Sequence, residues 1–261
     1  MGAALRSGGA PRGALRARAR GRPGVPGLAF VRRCRVCVFV GFVGSRSLPA
    51  SAGSLVSAVV GSVAAAGRGV AVGCASGGDA AVLSALCSGR VFVPFAVFAA
   101  FGVGGVGAGR FSAVPLVARA ASLSSCAGGS VRWVRFWAGG GPSVPLVARL
   151  RARSAALVSF VASSGPGAGV VAFLSSPLSR GSVRSLRLAV RAGLPVVAFP
   201  VGFPARLLPR FGSGRWVVAG RGVWARGWRW VPGGASASSG ALLSRGGPHG
   251  ASEAKSQQFV A

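Results

Sequence analysis

The sequence contains no isoleucine, threonine, asparagine or tyrosine, and it has one lysine, one methionine and one histidine. Acidic residues are almost as rare, because Asp79 and Glu253 are the two carboxylates in 261 residues. Since His249 and Lys255 come late in the sequence, the body of the chain has no histidine, no lysine and one carboxylate. These absences exclude an acid/base pair, a Schiff-base lysine and a serine-histidine-aspartate set there. We therefore expect no catalytic residues.

The missing and rare residue types share a property of their codons, each of which has adenine at the first or second position. An adenine-poor coding strand accounts for them, either in a gene under nucleotide bias or in a sequence read out of frame. The formal net charge of +29 favours nucleic acid or an anionic membrane as a partner. Because such a strand encodes arginine freely, the bias also accounts for part of this charge.

Cysteine usage indicates a reducing compartment. The five cysteines are an odd number, and no secretory signal pattern accompanies them, so a disulfide framework is not expected. Cys34 and Cys37 have the spacing of a zinc knuckle, but no second pair of cysteines or histidines completes four ligands. We predict no metal and no cofactor, and a cytoplasmic protein.

Composition divides the chain into four segments. Residues 1–35 are rich in arginine, glycine and alanine and predict a disordered basic arm, although a transit peptide has a similar composition. Residues 36–211 alternate apolar runs with helical patterns, 212–231 predict a hairpin, and 232–261 a flexible tail.

The first half of the central segment reads strand, helix, strand, helix. The apolar run at 36–44 ends in glycine, as a strand buried on both faces does. Apolar residues at helical spacing then run from Leu55 to Val63, and they precede a second strand at 69–74 and a helix from Asp79. This order predicts an α/β fold, a Rossmann-like open parallel sheet with helices on both faces.

The middle of the chain is less regular. Residues 91–109 are uncharged and long enough for a membrane span, but Pro94 and the glycines favour a strand at 91–99 followed by a glycine loop. The motif VPLVAR occurs twice, within 112–121 and 142–152, and each copy can open a helix. A strand is predicted at 131–137.

Regular structure returns from residue 168. The sequence predicts a buried strand, then a helix between Gly181 and Gly193, and then a further strand up to Gly202. Residues 215–231 predict a β-hairpin rich in arginine and tryptophan. Its four tryptophans can stack on bases or pad the edge of the sheet; they are Trp216, Trp224, Trp228 and Trp230.

Three motifs follow predicted strands in order: VGSR at 43–46, GCASGGDAA at 73–81, and SRGSVRSLRLAVRAGLPVVAFPVG at 179–202. Together they resemble the nucleotide-binding core of the SLOG superfamily, and most closely its DNA-processing protein A (DprA/Smf) branch. The resemblance covers roughly residues 36 to 202 and implies a ligand site at the carboxyl ends of the strands, where glycine turns and helix N-termini meet phosphate. The candidate phosphate-binding residues are Gly44, Ser45, Arg46, Gly73, Gly77, Asp79, Gly181 and Ser182.

Two features of these motifs refine the hypothesis. Asp79 can favour the first turn of its helix, or it can accept a hydrogen bond from a ligand hydroxyl or hold Arg46. Ser185 occupies the position where nucleotide-cleaving relatives have glutamate, which argues against that hydrolysis. Four arginines on one face of the predicted helix form a stripe that is either solvated or binds nucleic acid; they are Arg180, Arg184, Arg187 and Arg191.

The leading hypothesis is a non-enzymatic protein that binds nucleic acid, specifically single-stranded DNA. The alternative is a small-nucleotide-binding sensor or a degraded nucleotide hydrolase that uses the same pocket. Membrane association is the third and least favoured class, and a homo-oligomer stays open.

Overall fold

A computed structural model describes residues 38–91, 93–102, 113–125, 134–138 and 143–233. The predicted arm, nearly all of the predicted tail, and Cys34, Cys37 and Cys126 lie outside these residues. The strands are β1 Phe39–Gly44, β2 Gly69–Val72, β3 Phe95–Ala99, β4 Val134–Ala138, β5 Gly169–Leu174, β6 Val196–Pro200, β7 Arg215–Val218 and β8 Trp228–Val231. The helices are α1 Gly53–Ala65, α2 Gly78–Cys87, α3 Val114–Ser125, α4 Leu146–Ala162 and α5 Arg180–Arg191.

One sheet joins all eight of these strands, in the order β4-β3-β2-β1-β5-β6-β8-β7. The strands from β1 to β6 are parallel, and β8 pairs antiparallel with both β6 and β7. The chain moves outward from β1 to β4 and then returns through α4 to place β5 on the other side of β1. This order confirms the predicted Rossmann-like sheet, with its switch point between β1 and β5.

The apolar residues of the strands alternate between two cores, one on each face of the sheet. Val40 and Phe42 pack with α1 and α2, whereas Phe39 and Val43 pack with α4 and α5. At Gly41 a Cβ atom would lie 3.0 Å from side-chain carbons of Leu157 and Val161, so glycine lets α4 approach the central strand closely.

The region of residues 91–109 contains β3, as the strand interpretation predicts, and the loop from residue 103 lies outside the described part. No helix in the described ranges has the length and apolar character needed to cross a bilayer. Both VPLVAR copies open helices, since α3 starts at Val114 and α4 at Leu146, directly after Pro145. The predicted helix before Gly193 is α5, and that glycine has a φ of 72°.

The predicted C-terminal hairpin is confirmed, but one tryptophan lies outside its strands. Trp216 and Trp230 face each other across β7 and β8, with ring centroids 5.3 Å apart, and Phe211 packs edge-on against both. Trp224 lies in the 3-10 turn Gly222–Arg226 and is buried against α1 and Phe199. These rings pad the edge of the sheet, which is the second of the two roles considered for them.

Candidate functional site

A cleft of about 660 Å³ opens at the carboxyl ends of β1 and β5, at the switch point of the sheet. Its walls come from the loop after β1, the start of α2, the first half of α4 and the start of α5. Ligands of open parallel sheets bind at this position because the loops that follow adjacent strands diverge there. Of the eight predicted phosphate-binding residues, six line this cleft: Gly44, Ser45, Arg46, Asp79, Gly181 and Ser182.

Ser45 joins the two loops that diverge from β1 and β5. Its hydroxyl lies 2.6 Å from the hydroxyl of Ser179 and accepts a hydrogen bond of 3.0 Å from the backbone N–H of Ser175. Its own backbone N–H donates to the carbonyl of Phe173 at 2.9 Å. Buried and bonded in this way, Ser45 fixes the spacing of the loops that form the cleft.

The glycines at the cleft allow two loops to touch through their backbones. A Cβ atom on Gly44 would lie 2.5 Å from the Cα atom of Gly78, and Gly77 has a φ of 75° against the carbonyls of Ser45 and Arg46. The N–H of Gly78 donates to the carbonyl of Ser45 at 2.9 Å. Gly44 and Gly77, predicted as phosphate-binding residues, therefore also have a packing role that brings the start of α2 against the end of β1.

Asp79 lies in the first turn of α2 and is 3% exposed. Its Oδ2 atom lies 2.6 Å from Nη1 of Arg153 on α4 and also accepts a hydrogen bond of 3.1 Å from the N–H of Ala75. Burial is the largest single influence on the pKa of Arg153 and lowers it, but the charge and hydrogen bond of Asp79 together with the nearby Cys74 thiol outweigh burial, so the pKa is raised. The partner of the lone carboxylate of the described chain is thus Arg153, which the sequence analysis did not single out.

Gly73 lies directly beneath this ion pair and is not among the residues that line the cleft. A Cβ atom at this position would lie 1.4 Å from Nη1 of Arg153 and 2.2 Å from Oδ2 of Asp79. The next residue, Cys74, is buried, and burial raises the pKa of its thiol even though the nearby Arg153 acts in the opposite sense. Any side chain at position 73 would displace the pair.

The start of α5 presents hydrogen-bond donors to the cleft. Ser182, in the first turn, is 7% exposed and lines the cleft. Ser179 occupies the N-cap position but makes no side-chain cap. Helix N-termini attract anions because their first N–H groups lack intrahelical acceptors. Ser182 therefore lies beside the N–H groups at the start of α5.

Charge in the cleft is positive and does not depend on groups that titrate near neutral pH. Arg46, Arg151, Arg180 and Arg184 line it and are exposed, while Asp79 is offset by Arg153. The remaining polar lining consists of serine hydroxyls. Such a lining attracts anions, and its described residues include no histidine, no lysine and no carboxylate besides Asp79. Among the described residues, no three histidine, cysteine or acidic residues come together.

The arginine stripe of α5 begins at the cleft and continues away from it. All four of its arginines are exposed, and they flank a groove of about 620 Å³. Leu178, Arg180 and Arg184 line both the groove and the cleft. At the rim, Leu178 is 82% exposed and Val147 is 55% exposed, so an apolar patch adjoins the cationic surface.

No protein-family model matches the sequence, and no curated protein does. Among solved structures, the chain is similar to the X-ray structure of DNA processing protein A (DprA) from Streptococcus pneumoniae, with a TM-score of 0.47 and 16% sequence identity. The match covers 66% of this chain and 53% of that chain, so this chain matches about half the length of the pneumococcal protein.

Proposed function

We propose that this chain is a non-enzymatic protein that binds single-stranded nucleic acid, with a phosphate held at the start of α5. The observation that carries the proposal is the position of Ser182, which lies in the first turn of α5, is 7% exposed and lines the cleft at the switch point. Arg46, Arg180 and Arg184 surround it with positive charge. Hydroxyl, guanidinium and helix N–H donors together match the oxygens of a phosphate group.

A single strand fits this surface better than a duplex. A duplex keeps its bases stacked and paired, whereas a single strand can turn a base away from its phosphates and onto a protein surface. Leu178 and Val147 offer an exposed apolar surface at the rim, next to the phosphate donors. From Arg180 to Arg191 the stripe extends about 16 Å at 1.5 Å per residue, which lets several successive phosphates meet it.

A small-nucleotide sensor is the second candidate, and the size of the cleft favours it. A volume of about 660 Å³ is within the usual range of pockets for small molecules. The degraded-hydrolase form of this candidate is supported by Ser185, which is buried and donates to the carbonyl of Gly181 at 3.3 Å. A serine so placed supplies no carboxylate at the position where the SLOG resemblance expects one.

The three motifs that resemble the SLOG superfamily support the same site, since their residues meet at the cleft. We also propose a cytoplasmic location, because five cysteines without a secretory signal pattern predict no disulfide framework.

Binding of a labelled oligo(dT) at moderate salt tests the proposal. We expect Arg46→Ala to weaken binding by about 2 kcal/mol and Ser182→Ala by about 1 kcal/mol, because they remove a charged and a neutral hydrogen-bond donor. Arg90→Ala and Ser57→Ala are matched controls, since Arg90 follows the C-terminal end of α2 and Ser57 lies on the exposed side of α1. Neither control should alter affinity.

Competition then separates the two candidates. Displacement of the oligonucleotide by equimolar mononucleotide would favour the sensor. Equal effects of the cleft variants and the controls would leave only non-specific attraction between a strongly cationic chain and polyanions, and the proposal would fail.

A further inference from the structure

The ion pair between Asp79 and Arg153 crosses the carboxyl end of the sheet. Asp79 belongs to α2 and Arg153 to α4, and these helices pack in the two cores on opposite faces. The guanidinium reaches the carboxylate over Gly73, where no Cβ atom has room. The pair therefore links the two helical layers at the floor of the cleft.

The pair also decides the charge of that floor. A buried carboxylate without a cation would repel an anion in the cleft strongly, because the low dielectric of the site screens charges poorly. With Arg153 bound at 2.6 Å, the two charges offset each other and the arginines of the rim act on the ligand unopposed. The Nε atom of Arg153 is buried and has no hydrogen-bond partner in the described part of the chain, so Asp79 is the group that orients this guanidinium.

We propose that Arg153 is a positioning residue of the cleft: it neutralises Asp79 and ties α4 to α2, and it thereby sets the affinity for an anionic ligand from beneath the site. The inference rests on the proposed function of the same cleft. It also assigns Asp79 a role different from accepting a ligand hydroxyl, because its Oδ2 atom already receives Arg153 and the N–H of Ala75.

The two partners then have opposite effects on binding, which a purely structural pair would not have. Arg153→Met leaves a negative charge under the ligand, and labelled oligo(dT) should bind roughly tenfold more weakly. Asp79→Asn leaves a positive charge there, and the same probe should bind several-fold more tightly. Arg153→Lys keeps the charge and should restore most of the affinity that Arg153→Met loses.

Stability is measured on the same variants, because breaking a buried pair from one side destabilises the fold. The double variant Asp79→Asn/Arg153→Met removes both charges, so its affinity for oligo(dT) should lie within about threefold of that of the wild type. Because it leaves no unpaired buried charge, it can be measured even where Arg153→Met does not fold. Thermal unfolding of the four proteins gives the coupling between α2 and α4. Arg90→Ala is the control for general effects on melting, since Arg90 is exposed and follows the C-terminal end of α2.

The results separate this inference from the proposed function. If the wild type binds and Asp79→Asn weakens binding, Asp79 contacts the ligand and the inference is overturned while the function stands. Unchanged affinity in both single variants overturns the inference as well. If the wild type binds oligo(dT) no better than the Ser182→Ala variant, the proposed function fails. If the unfolding data then also show no coupling energy between Asp79 and Arg153, the link between α2 and α4 is overturned as well.

Discussion

The two helical layers of this protein differ sharply in charge. In the layer with α1 and α2, the helices α1, α2 and α3 together contain one arginine, Arg119, and one acid, Asp79. In the other layer, α4 and α5 contain seven arginines and no acid. An adenine-poor coding strand supplies arginine to the whole chain, but it does not place arginine on one side of a sheet.

This asymmetry indicates that the two helical layers have different roles. The layer of α1 to α3 packs with small apolar residues, and α1 carries no charge along its whole length. The layer of α4 and α5 forms two walls of the cleft and carries the stripe that leads away from it. We expect substitutions in the first layer to change stability with little effect on affinity, and charge removal in the second to do the reverse.

The largest expected effect comes from replacing the four stripe arginines of α5 by glutamine. If each meets one phosphate of a single strand, the slope of log affinity against log salt should decrease by about 3, at roughly 0.7 per contact. At fixed moderate salt, affinity for oligo(dT) should drop by on the order of 100-fold. Salt titrations followed by fluorescence anisotropy measure both quantities, and melting should hardly change because these side chains are exposed.

A matched variant makes this result specific. Arg206, Arg210, Arg221 and Arg226 are also exposed, but they lie near the hairpin and outside the cleft and the groove. Replacing them by glutamine removes the same charge from another part of the surface. If the slope of log affinity against log salt decreases equally in both variants, net charge alone attracts the strand. The proposed difference in role between the two layers would then be wrong.

A smaller effect is expected from Cys74, which packs in the core with α1 and α2. Burial raises the pKa of this thiol, so the unfolded chain loses the proton first as the pH rises. Stability should be unaffected below the ordinary thiol pKa of about 8.5 and then fall by up to about 1.4 kcal/mol per pH unit until the folded thiol also ionises. The lack of tyrosine and the single lysine leave few other groups that titrate there.

Urea unfolding between pH 7 and pH 10 measures this dependence. Cys74→Ala should lower stability at pH 7, because it removes a buried Sγ that accepts from the N–H of Ala100. The free energy of unfolding of this variant should decline less steeply with pH. If the free energy of unfolding declines equally with pH in the wild type and in Cys74→Ala, the loss of stability at alkaline pH comes from other thiols. The variant with the four α5 arginines replaced by glutamine should show the same pH dependence of stability as the wild type.

Much of the fold could be predicted because local patterns decide it. Continuous apolar runs identified β1, β2 and β5, of which β1 ends in Gly44 and β2 is followed by Gly73. Their alternation with helical spacing required a parallel sheet. Glycine turns after strands then located the cleft, since the carboxyl ends of parallel strands share one edge. The position of Ser182 at the start of α5 follows from the same reasoning.

The partner of Asp79 could not be identified in this way, because the pair joins residues 74 positions apart. One signal was available, because Arg149 and Arg153 continue the four-residue spacing of Leu157 and Val161 along the buried side of α4. A buried arginine needs an acidic partner, and Asp79 is the one carboxylate in the body of the chain. The position of Trp224 also depends on long-range packing, since a turn residue reaches α1 only once the sheet is complete.

The smallest expected effect on affinity concerns Trp224, which links the turn between β7 and β8 to α1. Its Nε1–H donates to the hydroxyl of Ser62 at 3.1 Å, while its ring lies 5.9 Å from that of Phe199. Trp224→Phe keeps an aromatic ring but loses this donor and some volume, so stability should decrease by about 1 to 2 kcal/mol. Ser62→Ala should lose about 1 kcal/mol of stability, and the double variant should lose less than the sum because the two single variants remove the same hydrogen bond.

Because Trp224 packs with the uncharged α1 and lies outside the cleft, oligo(dT) affinity at a temperature where all variants are folded should match the wild type. A loss of affinity that tracks the loss of stability across these variants would mean that the two layers are coupled and that charge placement alone does not divide their roles.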